Sequence, residues 1–203
     1  MELLLQGTLL GAGDPSFDDT WATVTRTALG SDGDAWVDHA GGWLRGADTL
    51  FAELLERATW KSRVVTMYDR LVDEPRLTAR LATAAPRPPI VEAMRAALSD
   101  RYGVRFTGVG LNLYRDGRDS VAWHGDRVAR ELPDAVVAIV SLGGPRRFLL
   151  RPKGGGHSVR FDLCSGDLLV MGGSCQRTWQ HSVPKSARAD PRMSVTFRHA
   201  YER

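Results

Sequence analysis

Residues 135–151 read AVVAIVSLGGPRRFLLR and decide the fold class. A run rich in apolar and β-branched residues precedes Gly143-Gly144-Pro145, a tripeptide that favours a turn, and a second short run with an apolar centre follows it. The pattern therefore predicts strands at 135–142 and 146–151 that are joined by a short connection.

Outward from these two strands, short runs of alternating polarity continue on both sides. They predict four further strands at 106–114, 158–163, 167–171 and 193–201, separated by glycine-rich turns. Many short strands in succession favour a β-sandwich or a jelly-roll-like barrel. We expect a mainly β protein of the α+β class.

The segment before residue 104 has a different period. Leu50, Phe51 and Leu54 recur at helical spacing, with Asp48 or Thr49 as the expected cap. A second helix is expected after the prolines that end at residue 89, with Gly103 just past its last turn. We expect one domain over 1–203, with a helical extension at about 1–103 and the β core at about 104–203.

Composition limits the classes of protein to which the chain can belong. The net charge of +3 permits phosphate contacts without requiring them. No segment approaches the roughly 20 apolar residues of a membrane span, and Glu2 and Gln6 interrupt the N-terminal leucines, so no signal peptide is expected. Cys164 and Cys175 match no zinc or redox spacing, which indicates reduced cysteines and a cytoplasmic protein.

Two motifs together suggest a metal site. In His124-Gly125-Asp126 the imidazole and the carboxylate are two residues apart, so on an extended segment both project from one side. His181 lies much later, in a segment that a barrel can return beside the first. Two imidazoles and one carboxylate on one face of an octahedral ion leave positions open, an arrangement that suits non-haem iron(II) oxygenases.

A third motif predicts a site for a small dicarboxylate. In residues 192–198 the apolar side chains alternate with Arg192, Ser194, a threonine and Arg198. The two arginines are roughly 20 Å apart along a strand, so their long side chains must lean towards each other to share one ligand. Asn112 and Tyr114 have i, i+2 spacing and add neutral donors on one face.

These motifs, in this order and spacing, resemble the signatures of the AlkB family of dioxygenases. The similarity is strongest in the C-terminal half and extends more loosely over residues 60–61 and 75–78. The segments that carry it are Leu111-Asn112-Leu113-Tyr114, His124-Gly125-Asp126, Trp179-Gln180-His181-Ser182-Val183-Pro184-Lys185 and residues 192–198.

The resemblance implies a double-stranded β-helix with N-terminal helices and a substrate lid. It also implies oxidative demethylation of bases such as 1-methyladenine and 3-methylcytosine, with iron(II) as the cofactor, 2-oxoglutarate and O2 consumed, and succinate, CO2 and formaldehyde released. Arg192 would meet the distal carboxylate and Arg198 the one near the metal. The implied iron ligands are His124, Asp126 and His181, and the implied 2-oxoglutarate contacts are Asn112, Tyr114, Arg192, Ser194 and Arg198.

The resemblance also implies a nucleic-acid substrate, alkylated DNA or RNA, and we expect a monomer that acts without a membrane. The implied substrate contacts are Trp60, Tyr68, Arg76 and Val128. Trp60 would stack on a flipped base, although aromatic residues mostly fill cores. Val128 stands where several family members carry an acidic residue, so we expect looser discrimination between adenine and cytosine.

Three other functions fit parts of the pattern. A hydroxylase of a small molecule or protein would share the metal and arginine residues but would lack the aromatic, basic lid. A metal-containing reader without turnover would need a broken metal or co-substrate site, and no break is visible. A purely structural barrel would leave the histidines and arginines unexplained.

Overall fold

A computed structural model describes residues 11–31, 33–67, 70–81, 87–126, 132 and 134–199. It contains mostly antiparallel strands and few helices. The helices are α1 (Ala47–Arg57), α2 (Pro89–Tyr102) and α3 (Cys175–Thr178). The strands are β1 (Ser16–Phe17), β2 (Thr25–Leu29), β3 (Ala35–Ala40), β4 (Leu44–Arg45), β5 (Lys61–Met67), β6 (Arg70–Leu81), β7 (Phe106–Tyr114), β8 (Val121–His124), β9 (Val137–Gly143), β10 (Arg146–Pro152), β11 (Val159–Leu163), β12 (Leu168–Gly173), β13 (Trp179–Val183) and β14 (Arg192–His199).

Two sheets face each other and form the core. Within the described residues the larger sheet has the order β2-β3-β12-β9-β14-β7-β6-β5, and the smaller has the order β11-β10-β13-β8. The pairings inside both sheets are antiparallel. This arrangement agrees with the predicted double-stranded β-helix, and each of the six strands predicted from alternation is present with small shifts at its ends.

Strand β9 shows how alternation builds two separate cores. Ala138 and Val140 belong to a cluster that packs against α1 and α2, whereas Val137 and Ile139 belong to a cluster that lies between the two sheets. Successive side chains of a strand point to opposite faces, so both faces of β9 are covered by apolar groups. Because both faces of β9 are buried, its sequence is a nearly continuous apolar run.

Strand β14 has one face in the apolar cluster and one face between the sheets. Met193, Val195 and Phe197 are fully buried in the cluster beneath the helices. Arg192 and Arg198, on the alternate face, line a cavity between the two sheets. The polar face predicted from the sequence is therefore the inner face of the fold, which places its charges in a cavity.

Both predicted helices are present, with one correction at a cap. Helix α1 begins after Gly46, whose φ of 65° is left-handed, and no side chain caps it, so neither Asp48 nor Thr49 is the cap. Asp48 lies in the first turn, where its charge is favourable to the helix dipole. Helix α2 has Pro89 in its first turn and Gly103 at its C-cap, as predicted.

The largest difference from the sequence prediction lies in the segment before residue 104. We expected helices and a substrate lid there, but β2, β3, β5 and β6 also join the larger sheet, two at each of its edges. Strand β3 pairs with β12, and β6 pairs with β7, so this segment completes the core sheet. Strands at the edges of a sheet form because they pair with segments that are distant in sequence. Local periodicity does not reveal this pairing. Among the described residues no helix is long and apolar enough to span a membrane.

Candidate functional site

The three predicted metal-binding side chains meet where β8 and β13 lie side by side. His124 on β8 is the register partner of His181 on β13, so the two imidazoles point to the same face of the smaller sheet. Their ring centroids are 4.2 Å apart. Asp126 follows two residues later, and one ligand atom from each of the three residues lies within 4.8 Å of the others. This cluster has the donor set of a two-histidine, one-carboxylate metal site.

The surroundings of both histidines leave them able to bind a cation. Nδ1 of His124 lies 2.8 Å from the carbonyl oxygen of Ala122, which it can reach only as a donor, so Nε2 carries the free lone pair. The ring of His181 stacks on Phe148 at 5.3 Å. Burial, with a smaller contribution from the neighbouring His124, lowers the pKa of His181 to about 3. His181 is therefore neutral at physiological pH, as a metal ligand must be.

Asp126 is held as a carboxylate in a nearly buried position. Burial opposes its ionisation, but the positive charges around it, led by Arg198, prevail and lower its pKa. Nε of Arg198 donates to Oδ2 of Asp126 at 3.0 Å. Gly110 on β7 permits this path, because a Cβ there would lie only 3.2 Å from a terminal nitrogen of Arg198. An ionised, oriented carboxylate and two imidazoles fit iron(II).

Arg192 is a buried cation at the other end of the inner face of β14. It is 1% exposed, its Nε donates to Oγ of Ser141 at 3.0 Å, and its guanidinium lies 5.2 Å from the ring centroid of Tyr114. No carboxylate of the described residues pairs with it. Burial lowers the pKa of this guanidinium, a penalty that a bound anion would offset. The residue thus fits a carboxylate ligand.

Polar side chains lie between Arg192 and Arg198 on the inner face of the larger sheet. Ser194 is the register partner of Asn112, and Nδ2 of Asn112 donates to Oγ of Ser194 at 3.1 Å. Oδ1 of Asn112 accepts from Nε of Arg76 at 3.2 Å. The five predicted co-substrate residues therefore share one cavity with the candidate metal ligands. The cavity is lined by Arg76, Asn112, Tyr114, Val121, His124, Asp126, Ile139, Phe148, His181, Val183, Arg192, Ser194, Thr196 and Arg198.

The predicted substrate contacts are less completely described. Arg76 lines the cavity. Trp60 does not: it is half-buried against the apolar cluster beneath the helices, and its indole N–H donates to the carbonyl of Leu55 at 3.0 Å. Its stacking role stays a prediction. Tyr68 and Val128 lie outside the described residues.

Two side chains at the site were not predicted from the sequence. Ser141 interrupts the apolar run of β9, and its position two residues after Ile139 is a signal for an inward-facing polar group. Gln176 lies in α3, and its buried amide oxygen accepts from the backbone N–H of Asp126 at 3.0 Å. No periodicity of the sequence points to Gln176, since it belongs to a four-residue helix between two strands.

Comparisons with known proteins agree with this geometry. The family model described as 2OG-Fe(II) oxygenase superfamily matches residues 47–198. The chain is 32% identical over 180 residues to alpha-ketoglutarate-dependent dioxygenase alkB homolog 3 from Bos taurus, an alignment that covers 78% of this chain and 63% of the relative. It is 35% identical over 127 residues to the DNA oxidative demethylase ALKBH2 from Homo sapiens, which covers 57% of this chain and 49% of the relative.

Similarity to one solved structure bears on the fold and on no other property. A protein from Burkholderia pseudomallei, described as an oxidoreductase of the 2OG-Fe(II) oxygenase family, is similar with a TM-score of 0.50 and 18% sequence identity. The similarity covers 74% of this chain and 76% of that one. The chain spans less than two thirds of the length of the alkB homolog 3 relatives that it matches.

Proposed function

The chain belongs to the 2OG-Fe(II) oxygenase superfamily, with AlkB homologues among its relatives, and from this membership we propose that it oxidatively demethylates N-alkylated bases in DNA or RNA. The reaction would use iron(II) as its cofactor, consume 2-oxoglutarate and O2, and release succinate, CO2 and formaldehyde. We propose that the 203 residues act as one domain, in the cytoplasm and as a monomer.

One observation carries this proposal. A two-histidine, one-carboxylate cluster and a buried guanidinium without a carboxylate partner among the described residues face the same cavity. The first fits a metal with open positions, and the second fits an anion that binds beside that metal. A binding protein for a metal alone would not require the buried cation. A binding protein for an anion alone would not require two imidazoles beside a carboxylate.

The proposed roles follow from the contacts of each side chain. His124, Asp126 and His181 would hold iron(II), and Arg192 would receive the distal carboxylate of 2-oxoglutarate with support from Tyr114. Nε of Arg198 already donates to Asp126. The guanidinium of Arg198 would therefore bind both Asp126 and the carboxylate of 2-oxoglutarate that lies nearer the metal. Asn112 and Ser194, on the inner face of the larger sheet, would donate hydrogen bonds to 2-oxoglutarate. When bound, iron(II), 2-oxoglutarate and O2 supply the oxidation of the N-alkyl carbon.

The protein itself would orient the co-substrate and exclude water from the cavity. Phe148 and Ile139 form part of the apolar wall of the cavity, and Phe148 also fixes the ring of His181 by stacking. Apolar walls exclude water, which strengthens the charge interactions that position a dicarboxylate. The arrangement lowers the pKa of His181 and also the pKa of Asp126, so the buried imidazole is neutral where the carboxylate is ionised.

The substrate class rests on the relatives and on the β5–β6 hairpin. Two of these relatives are named as an alkB homolog and as a DNA oxidative demethylase. The hairpin lies beside β7 and brings Arg76 to the cavity, while Lys61 and Arg80 on it are exposed. Exposed cations beside the site are available for phosphate contacts. We propose that Trp60, Tyr68, Arg76 and Val128 contact the flipped nucleotide.

We expect the purified protein to release formaldehyde from oligonucleotides that carry 1-methyladenine or 3-methylcytosine. Methylation on the pairing edge weakens the pair and the stack, so these bases are easier to extract from a helix. The measurement is mass spectrometry of methylated single- and double-stranded DNA and RNA, incubated with iron(II), 2-oxoglutarate and ascorbate. Unmethylated oligonucleotides of the same sequence are the control.

The same assay separates this function from its main alternative. If succinate forms only with a small molecule or a peptide and no oligonucleotide loses its methyl group, nucleic-acid demethylation is wrong and the chain is a hydroxylase of another substrate class. Comparable rates on adenine and cytosine are expected, because Val128 brings no charge to the base.

A further inference from the structure

The buried side chain of Gln176 has a contact that none of the roles above uses. The residue is 2% exposed, and its Oε1 accepts from the backbone N–H of Asp126 at 3.0 Å. On the other side, its Nε2 donates to Sδ of Met171 at 3.4 Å. Since the N–H of Asp126 is a donor, only the oxygen of the amide can face it, and the contact with Met171 favours that orientation.

The position of Asp126 explains why such a partner is needed. Strand β8 ends at His124, whose pairing with His181 lies at that end of the β8–β13 ladder. Asp126 lies two residues beyond, so its N–H is not part of that ladder. Buried backbone donors are almost always hydrogen-bonded in folded proteins. Gln176 therefore supplies, from a side chain, the acceptor that a neighbouring strand would otherwise provide.

A second contact ties the same turn to α3. A Cβ on Gly125 would lie only 2.9 Å from the backbone oxygen of Gln176, so the turn packs directly on the helix at a distance that glycine permits. Helix α3 continues without a break into β13, which carries His181. The segment formed by α3 and β13 therefore both contacts the backbone of Asp126 and carries His181.

We propose that Gln176 is a positioning residue for the metal centre, which fixes the backbone of Asp126 so that its carboxylate meets the same ion as His124 and His181. Arg198 orients the carboxylate of Asp126, whereas Gln176 orients its backbone, so the two act on different atoms. The inference rests on the proposed iron site. It concerns metal affinity and not the choice of substrate.

The test is anaerobic titration with iron(II) alone, without co-substrate. Gln176→Met keeps the length of the side chain and removes the acceptor, and its iron(II) affinity is expected to fall about 10- to 100-fold, the usual effect of losing an outer-shell partner. The Michaelis constant for 2-oxoglutarate at saturating iron should not change. Gln176→Glu keeps an acceptor oxygen, and its negative charge does not oppose a cation, so it should recover most of the affinity.

Gln180→Met is the matched control, because Gln180 is half-buried beside His181 and its side chain does not accept the hydrogen bond of the Asp126 N–H, which goes to Gln176. It should bind iron(II) like the unsubstituted protein. The proposal is overturned if Gln176→Met binds iron(II) normally, if Gln176→Glu is as weak as Gln176→Met, or if Gln180→Met loses as much affinity. A loss seen with Gln180→Met would mean that any change in this segment disturbs the site.

A measurement on the unsubstituted, metal-free protein tests the contact even if Gln176→Met does not fold. The amide proton of Asp126 is expected to exchange slowly with solvent, although it lies beyond the end of β8. Fast exchange would contradict the proposal. If the unsubstituted protein binds no iron(II), the proposed function fails, and the exchange of this amide still decides whether Gln176 holds the turn.

Discussion

His181→Ala is expected to abolish iron(II) binding and turnover while the protein still unfolds cooperatively. The imidazole is buried, neutral and opposite His124, so no other side chain of the described residues can take its place in the cluster. Loss of a ligand should weaken binding by more than the about 10- to 100-fold that loss of an outer-shell partner causes. Anaerobic titration with iron(II) and formaldehyde release measure the two effects.

The same result is expected for His124→Ala and Asp126→Ala, and His157→Ala is the matched control. His157 is exposed and lies outside the cavity, so its removal should change neither quantity. About one iron(II) per chain is expected for the unsubstituted protein. If all three cluster variants bound iron(II) normally, the assignment of the metal site would be wrong.

Arg192→Ala is expected to raise the Michaelis constant for 2-oxoglutarate steeply. Loss of one partner of a desolvated charge pair costs on the order of 2 to 5 kcal/mol, which corresponds to roughly 30- to several-thousand-fold in affinity. Arg192→Lys should recover only part of this loss, because an ammonium keeps the charge but not the two parallel donors of guanidinium. Initial rates against 2-oxoglutarate concentration, at saturating iron(II), measure the effect.

Stability measurements distinguish a binding role of Arg192 from a structural one. The guanidinium is buried without a carboxylate partner in the described part of the chain, so its removal from the ligand-free protein should not lower the melting temperature. Arg147→Ala, an exposed arginine on β10, is the control for the kinetics. An unchanged Michaelis constant in Arg192→Ala would exclude the proposed contact, whatever the metal site does.

The inner face of β14 could be predicted because it depends on local geometry. Alternation in residues 192–198 requires that Arg192, Ser194 and Arg198 share a face in any extended conformation. The i, i+2 spacing likewise places Asn112 and Tyr114 on one face of a strand, and His124 and Asp126 on one face of an extended segment. The sequence alone did not decide that the polar face of β14 is enclosed between two sheets instead of facing solvent.

Contacts between segments that are distant in sequence needed the tertiary structure. The strands at the sides of the larger sheet, from the segment before residue 104, appear only because β3 pairs with β12 and β6 pairs with β7. Trp60 was expected to stack on a base, and that role stays a prediction, but only the structure shows that it is half-buried against the apolar cluster with its indole N–H donating to the carbonyl of Leu55. Local residue type does not specify which of several burial sites a side chain will occupy.

The sequence by itself determined the β-rich C-terminal half, the two long helices and the sets of side chains that project together, because these follow from the period of a strand or a helix. Only the tertiary structure decided that β8 and β13 are neighbours, that Arg198 pairs with Asp126, and that Gln176 holds the turn beside His124. These contacts join residues far apart along the chain. Which of them form depends on how the whole chain buries its apolar faces, a property that no local pattern contains.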